Sequence, residues 1–130
     1  GVIDEQFKTF SADERRIAQL LAAEGANVTA LLESTVQNVK TADAAVGRIR
    51  TEFKTLTSRK HFEDELTDAA DKSLEAVVDV TGMRITRQAA ARIAEEQMRG
   101  TSLRRVRILG RAYDGRAYDV WVERPRGKKR

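Results

Sequence analysis

The chain has 130 residues, 41% of them hydrophobic, and 24 basic against 20 acidic side chains give it a net charge of +4. That is enough for one domain with one core, and no apolar run approaches the ~20 residues of a membrane-spanning helix. With no cysteine and a single histidine, His61, disulfide frameworks, thiolate centres and zinc sites built from several imidazoles are excluded. Any metal must be held by carboxylate and carbonyl oxygens, which suits hard ions such as Mg2+ or Mn2+.

The charge is unevenly divided. Residues 1–65 carry 9 basic and 11 acidic groups, a net of −2, whereas residues 66–130 carry 15 and 9, a net of +6. A basic half suits a polyanionic partner, because each phosphate contact releases condensed counterions; a well-solvated surface is the plainer alternative. The chain opens at Gly1 without a methionine, which reads as a piece of a longer protein.

In chain order, the first element is a helix over about Ala12 to Glu24. Ser11 and Glu14 form an S-x-x-E capping box, Ile17, Leu20 and Leu21 make the apolar stripe, and Gly25 is a natural stop. Val28 to Leu32 reads as a short strand with Leu31 and Leu32 buried. Asp43 to Val46 and Thr51 to Leu56 read as two more, joined through Gly47-Arg48-Ile49-Arg50 as an antiparallel hairpin. A second helix is expected over Lys60 to Ser73, with Phe62, Leu66, Ala69 and Ala70 at helical spacing. Val77-Val78-Asp79-Val80 has the β-branched character of a strand. A third helix follows from Arg87 to Arg99, capped by Thr86, stopped by Gly100 and striped by Ala90, Ile93, Ala94 and Gln97. Leu103 to Leu109 and Ala117 to Val122 then close a hairpin around Asp114-Gly115. The order is α-β-β-β-α-β-α-β-β. Residues 1–123 read as a single domain and 124–130, with five basic residues in seven, as a flexible tail.

The residues with chemistry lie between Thr41 and Lys54. In a strand, positions two apart face the same side, so Glu52 and Lys54 project together while Phe53 turns into the core. A short hairpin brings the Asp43 carboxylate beside Glu52. Two carboxylates so placed repel one another and form a site for a divalent cation, with the Phe53 carbonyl as a further oxygen. Lys54 is then positioned to orient water or stabilise charge on a phosphate. The plain alternative is that Glu52 and Lys54 are a surface ion pair of little energetic weight.

An acid followed by an acid-x-lysine triplet on adjacent strands resembles the PD-(D/E)XK nuclease superfamily. Asp43 stands at its first acidic position, Glu52 at the second and Lys54 at the lysine; Ala42 replaces the frequent proline. The run E-x-x-I-A-x-L-L-A-x-E-G, a short strand, A-D-A-A-V and T-E-F-K further resembles the C-terminal toxin domains of contact-dependent growth inhibition proteins. The likeness extends over roughly residues 11–123 but is specific only in 41–57. It implies an α/β fold of restriction-endonuclease type, with a mixed central sheet flanked by helices, and a metal-dependent nuclease acting on RNA, with transfer RNA the favoured substrate. It also implies Mg2+ or Mn2+ held by Asp43, Glu52 and Glu14, a cognate immunity protein, and delivery from a larger bacterial toxin into the cytoplasm of a target cell. A DNA endonuclease of the same fold and a non-catalytic nucleic-acid-binding module are the alternatives.

Glu14 has two readings. It completes the capping box, and it also lies along the buried stripe, where a ligand role would explain an inward carboxylate. His61, at a helix start without an acidic orienter, reads as solvated rather than as a general base, and Asp79 as structural. Arg105 and Arg107 alternate with Val106 and Ile108 and should leave one strand face; with Arg84, Arg87 and Arg104 they form the expected phosphate-contact set. Tyr118 and Trp121 fall on opposite faces of one strand, with Trp121 expected in the core.

Overall fold

The computed structural model describes residues 1–32, 41–70 and 73–125. Seven strands form one sheet in the order β1 to β7: β1 (Ile3–Asp4), β2 (Val28–Ala30), β3 (Ala44–Val46), β4 (Ile49–Thr55), β5 (Glu75–Asp79), β6 (Arg105–Arg111) and β7 (Ala117–Glu123). Three helices connect them: α1 (Ala12–Ala23), α2 (Arg59–Ala70) and α3 (Arg87–Met98). Strands β4, β5 and β6 run parallel, as do β1 and β2, while β2–β3, β3–β4 and β6–β7 are antiparallel. This is the mixed α/β architecture the sequence suggests, with β1 added at the front. Two residues are too few to show a period, so that strand left no signal.

The caps explain the helix starts. Ser11 Oγ accepts from the Glu14 amide at 3.2 Å and the Glu14 carboxylate accepts from the Ser11 amide at 2.9 Å, completing the box at α1. Thr86 Oγ1 accepts from Ala89 N at 3.1 Å at α3. Strand alternation then sorts the core into two layers. Ala76, Val78, Val106 and Ile108 meet Phe62, Leu66 and Ala69 of α2 and Ala90, Ile93, Ala94 and Met98 of α3 on one face. On the other, Phe53 and Val77 meet Ile17, Ala18 and Leu21 of α1 together with Phe10.

Two details tie these layers together. The Gln97 carboxamide of α3 donates to Phe62 O and accepts from Leu66 N at 2.8 Å. Those are the two groups that an i→i−4 bond would pair, so α3 grips the middle turn of α2. Gly110 of β6 leaves room for the Tyr118 ring, since a Cβ there would lie 2.3 Å from it; the Tyr118 hydroxyl then donates to Ile85 O at 2.8 Å.

Several boundaries differ from the sequence reading. β2 ends at Ala30, and Val28 and Ala30 rather than Leu31 and Leu32 are its buried residues; Leu32 is 59% exposed. The alternation of Val28 and Ala30 decides the inward face, which greater hydrophobicity two residues later does not override. The β3–β4 connection is only Gly47-Arg48, with Ile49 already in β4 opposite Val46. Gly47, at φ +60°, supplies the left-handed conformation that so short a turn requires. α2 ends at Ala70; residues 71 and 72 of the expected helix, and the tail beyond 125, lie outside the described residues.

Candidate active site

Asp43 immediately precedes β3, and Leu31 N donates to its carbonyl at 3.0 Å. With Ala44 opposite Thr51, the register sets Asp43 beside Glu52. The two residues clasp each other. Asp43 N donates to Glu52 Oε1 at 3.2 Å, and Phe53 N donates to Asp43 Oδ2 at 3.0 Å. Glu52 and Lys54 lie opposite Ala76 and Val78 of β5 and so share the α2–α3 face. Phe53 turns the other way, its ring 5.7 Å from that of Phe10. The i, i+2 relation therefore holds as expected.

The site is more enclosed than a surface ion pair would be. Glu52 is only 2% exposed, and the Lys54 side chain 13%. Lys54 Nζ lies 3.7 Å from Glu52 Oε2 and 3.4 Å from Glu65 Oε1 of α2. Glu65 was not recognisable beforehand. It belongs to no motif, and only its place next to the buried Leu66 on an amphipathic helix hinted at a position flanking the sheet.

Burial pushes the Asp43 carboxyl up to about 7, and the negative charge of Glu52 adds to the effect. The Phe53 amide opposes it, whereas Glu14 raises it further through its charge and a side-chain hydrogen bond. Glu14 thus caps α1 and also faces Asp43. Crowded carboxylates of this kind supply the hard-oxygen donors that suit Mg2+ or Mn2+, and their repulsion is what a divalent cation relieves. Among the described residues no group of three or more His, Cys, Asp or Glu side chains converges closely enough to hold an ion. The carboxylates instead meet in sequence, each engaged with a neighbouring amide or carboxyl.

The shift has a consequence for metal-free protein. Because the native carboxyl binds its proton more tightly than the unfolded one, with an ordinary value of 3.8, the native state holds the extra proton between about pH 4 and 7. This stabilising contribution is present at low pH and lost as pH rises through about 7. In EDTA, thermal melts should show Asp43→Asn gaining stability relative to the parent as pH rises over this window, by at least ~1 kcal/mol. Parallel pH profiles for the two proteins would remove Asp43 as the strained group.

The arginines divide differently from the expectation. Arg105 and Arg107 do share a face, but it is the α1 face, opposite Lys54. Arg107 is 7% exposed. It reaches both oxygens of Glu24 at 2.6 Å and both of Asp119 at 2.9 and 2.6 Å, an arrangement that holds its charge firmly in place and uses it internally. Arg105 Nε bonds Glu75 at 2.9 Å, and its guanidinium carbon lies 4.0 Å from the Trp121 ring centroid. Trp121 is 38% exposed, so it is a stacking platform for Arg105 rather than a core residue. Because β7 is an edge strand and α1 does not reach across it, that ring has no helix to bury it.

Arg84 and Arg87 are exposed beyond the C-terminal end of β5, the end of the sheet near Lys54; Arg104 is exposed at the opposite end, before β6. The five arginines therefore do not make one patch. His61 is exposed on the first turn of α2. Asp79 accepts from Thr81 N at 2.9 Å and Thr81 Oγ1 at 2.6 Å, the structural turn expected of it. Among the described residues no helix is long and apolar enough to cross a membrane.

No family model matches the chain, and no curated protein does. Among solved structures, it is similar to one chain of a CdiA-CT/CdiI toxin and immunity complex from Burkholderia pseudomallei. The identity is 12%, the TM-score 0.59, and the match covers 92% of this chain and 98% of that one. At that identity the likeness is one of fold, and it extends over nearly the whole of both chains.

Proposed function

We propose that this domain is a divalent-metal-dependent nuclease of the PD-(D/E)XK type, borne by a bacterial toxin and directed at RNA, with transfer RNA the favoured substrate. One observation carries the reading: Asp43, Glu52 and Lys54, from adjacent strands, meet in one enclosed cluster where the Asp43 carboxyl is pushed up to about 7. Desolvation, like-charge crowding and a largely enclosed lysine in one cluster are the perturbations at which functional sites concentrate. The likeness in fold to a chain of a toxin and immunity complex supports the toxin setting. A toxin of this kind acts in a target-cell cytoplasm and needs an immunity protein in the cell that makes it.

In this reading Asp43 and Glu52, with Glu14 beside them, would hold the Mg2+ or Mn2+, which would supply Lewis-acid stabilisation of the phosphate. Lys54 presents its ammonium to the reacting phosphodiester, where charge grows in the transition state. Enclosure keeps water from weakening that interaction. Arg84 and Arg87, at the same end of the sheet, are the exposed groups suited to phosphates farther along the substrate. Arginines dispersed over loops and helix starts, rather than along one groove-filling helix, suit a folded RNA recognised by shape.

The test is incubation with total transfer RNA and with plasmid DNA, in Mg2+, Mn2+ or EDTA. Cleavage of transfer RNA in the metal lanes alone is expected. Plasmid nicking with intact transfer RNA would make the domain a DNA nuclease, and binding without cleavage would make it a non-catalytic module. Cleavage that persists in EDTA would refute the metal requirement.

A further inference from the structure

The acid-x-lysine arrangement accounts for Lys54 from the strand side only. Its side chain is only 13% exposed, yet the ammonium's distances to Glu52 and Glu65, 3.7 and 3.4 Å, are longer than those of a tight ion pair. The group thus sits between two carboxylates, one from the sheet and one from α2, rather than being clamped to either. A lysine ammonium has three donors, and Glu65 engages it from the helix side.

The two carboxylates are not equivalent. Glu52 is buried within the sheet and also accepts the Asp43 amide. Were it to hold a cation, Glu52 would have less charge left to attract the ammonium. The Glu65 side chain is 43% exposed and comes from α2, not from the strands that carry Asp43 and Glu52. Its position is fixed by α2, whose Phe62, Leu66 and Ala69 are buried and whose middle turn is gripped by Gln97. The scaffold for Glu65 therefore lies apart from the carboxylates that would bind metal.

We propose that Glu65 is a positioning residue that holds the Lys54 ammonium in the site from the helix side. Its catalytic consequence rests on the nuclease reading above, and its structural content does not. Glu65 acts through Lys54, so its effect should fall on turnover rather than on substrate binding, and should vanish when Lys54 is absent.

The experiment uses the full chain in four variants, Glu65→Gln, Glu65→Asp, Lys54→Met and the Glu65→Gln/Lys54→Met pair, each checked by thermal melting. With transfer RNA as probe, Glu65→Gln should lower kcat about 10-fold, the scale of a misplaced catalytic group, with KM within about 2-fold; Glu65→Asp should recover part of the loss. The double variant should be no slower than Lys54→Met alone. A second readout needs no activity: in 15N-labelled protein the Lys54 ammonium, held between carboxylates, should give a slowly exchanging N–H correlation that Glu65→Gln abolishes and Glu65→Asp retains. A wild type that cuts, with Glu65→Gln unchanged in kcat and in this correlation, overturns the proposal and spares the nuclease reading. A wild type that cuts nothing, yet shows a correlation dependent on Glu65, does the reverse.

Discussion

Glu52→Gln and Lys54→Met are each expected to lower cleavage by at least ~10²-fold, the scale of a lost transition-state charge interaction, while the protein still folds. The enclosure of the cluster makes the choice of substituent important. Glutamine keeps the size of Glu52 and an oxygen to accept the Asp43 amide, and it removes one of the charges that crowd Asp43. Its melting temperature should therefore equal or exceed that of the parent. Methionine keeps the apolar stem of Lys54, which matters for a side chain only 13% exposed. Alanine would add a packing loss and confuse the result. Turnover in divalent metal, measured alongside thermal melts, decides the matter: a folded variant with normal turnover removes that residue from the chemistry.

Arg107→Leu should act in the opposite sense, on stability and not on cleavage chemistry. Removing one member of a buried ion pair can cost 3–5 kcal/mol because the remaining charge is stranded. Here the partners Glu24 and Asp119 are 44% and 47% exposed, so water takes over part of their solvation. A loss of about 2 kcal/mol is the expected outcome, or roughly 8 °C in melting temperature for a domain of this size. The salt dependence of nucleic-acid binding should stay the same, since a guanidinium already held by two carboxylates releases no counterions on binding. A stable variant with weakened, flatter salt dependence would return Arg107 to the substrate surface.

The parts legible in the sequence were those encoded locally. The Ser11–Glu14 box, the Thr86 cap, the stripe of Ala90, Ile93, Ala94 and Gln97, and the i, i+2 pairing of Glu52 with Lys54 each depend on spacing within a few residues, and each stands in the structure. Features that depend on which helix covers which strand were not legible. Alternation correctly put Arg105 and Arg107 together but could not say that Glu24, 83 residues away in sequence, would meet Arg107 there. Trp121 was assigned to the core on its chemistry, whereas the edge position of β7 decides its exposure. Glu65 reached the site only through tertiary packing. Asp43 was visible as an acid, but its raised affinity for a proton comes from burial and neighbours that no spacing reveals.

The sheet divides the interior into two layers of unequal thickness. Two helices and their strands make the larger, and α1 with the residues around Phe10 the smaller. The groups of the candidate site straddle this seam: Lys54 and Glu65 belong to the larger layer, and Glu14 is carried by the smaller one. A sub-global opening in which α1 lifts away would cost far less than full unfolding, because the two-helix layer and its strands could persist. Such an opening would carry off Glu14 and uncover Phe53, whose amide holds Asp43. In such an opening the acidic half of the site would come apart while Lys54 and Glu65 stayed in place, and the Arg107–Glu24 clasp at the C-terminal end of α1 would oppose it.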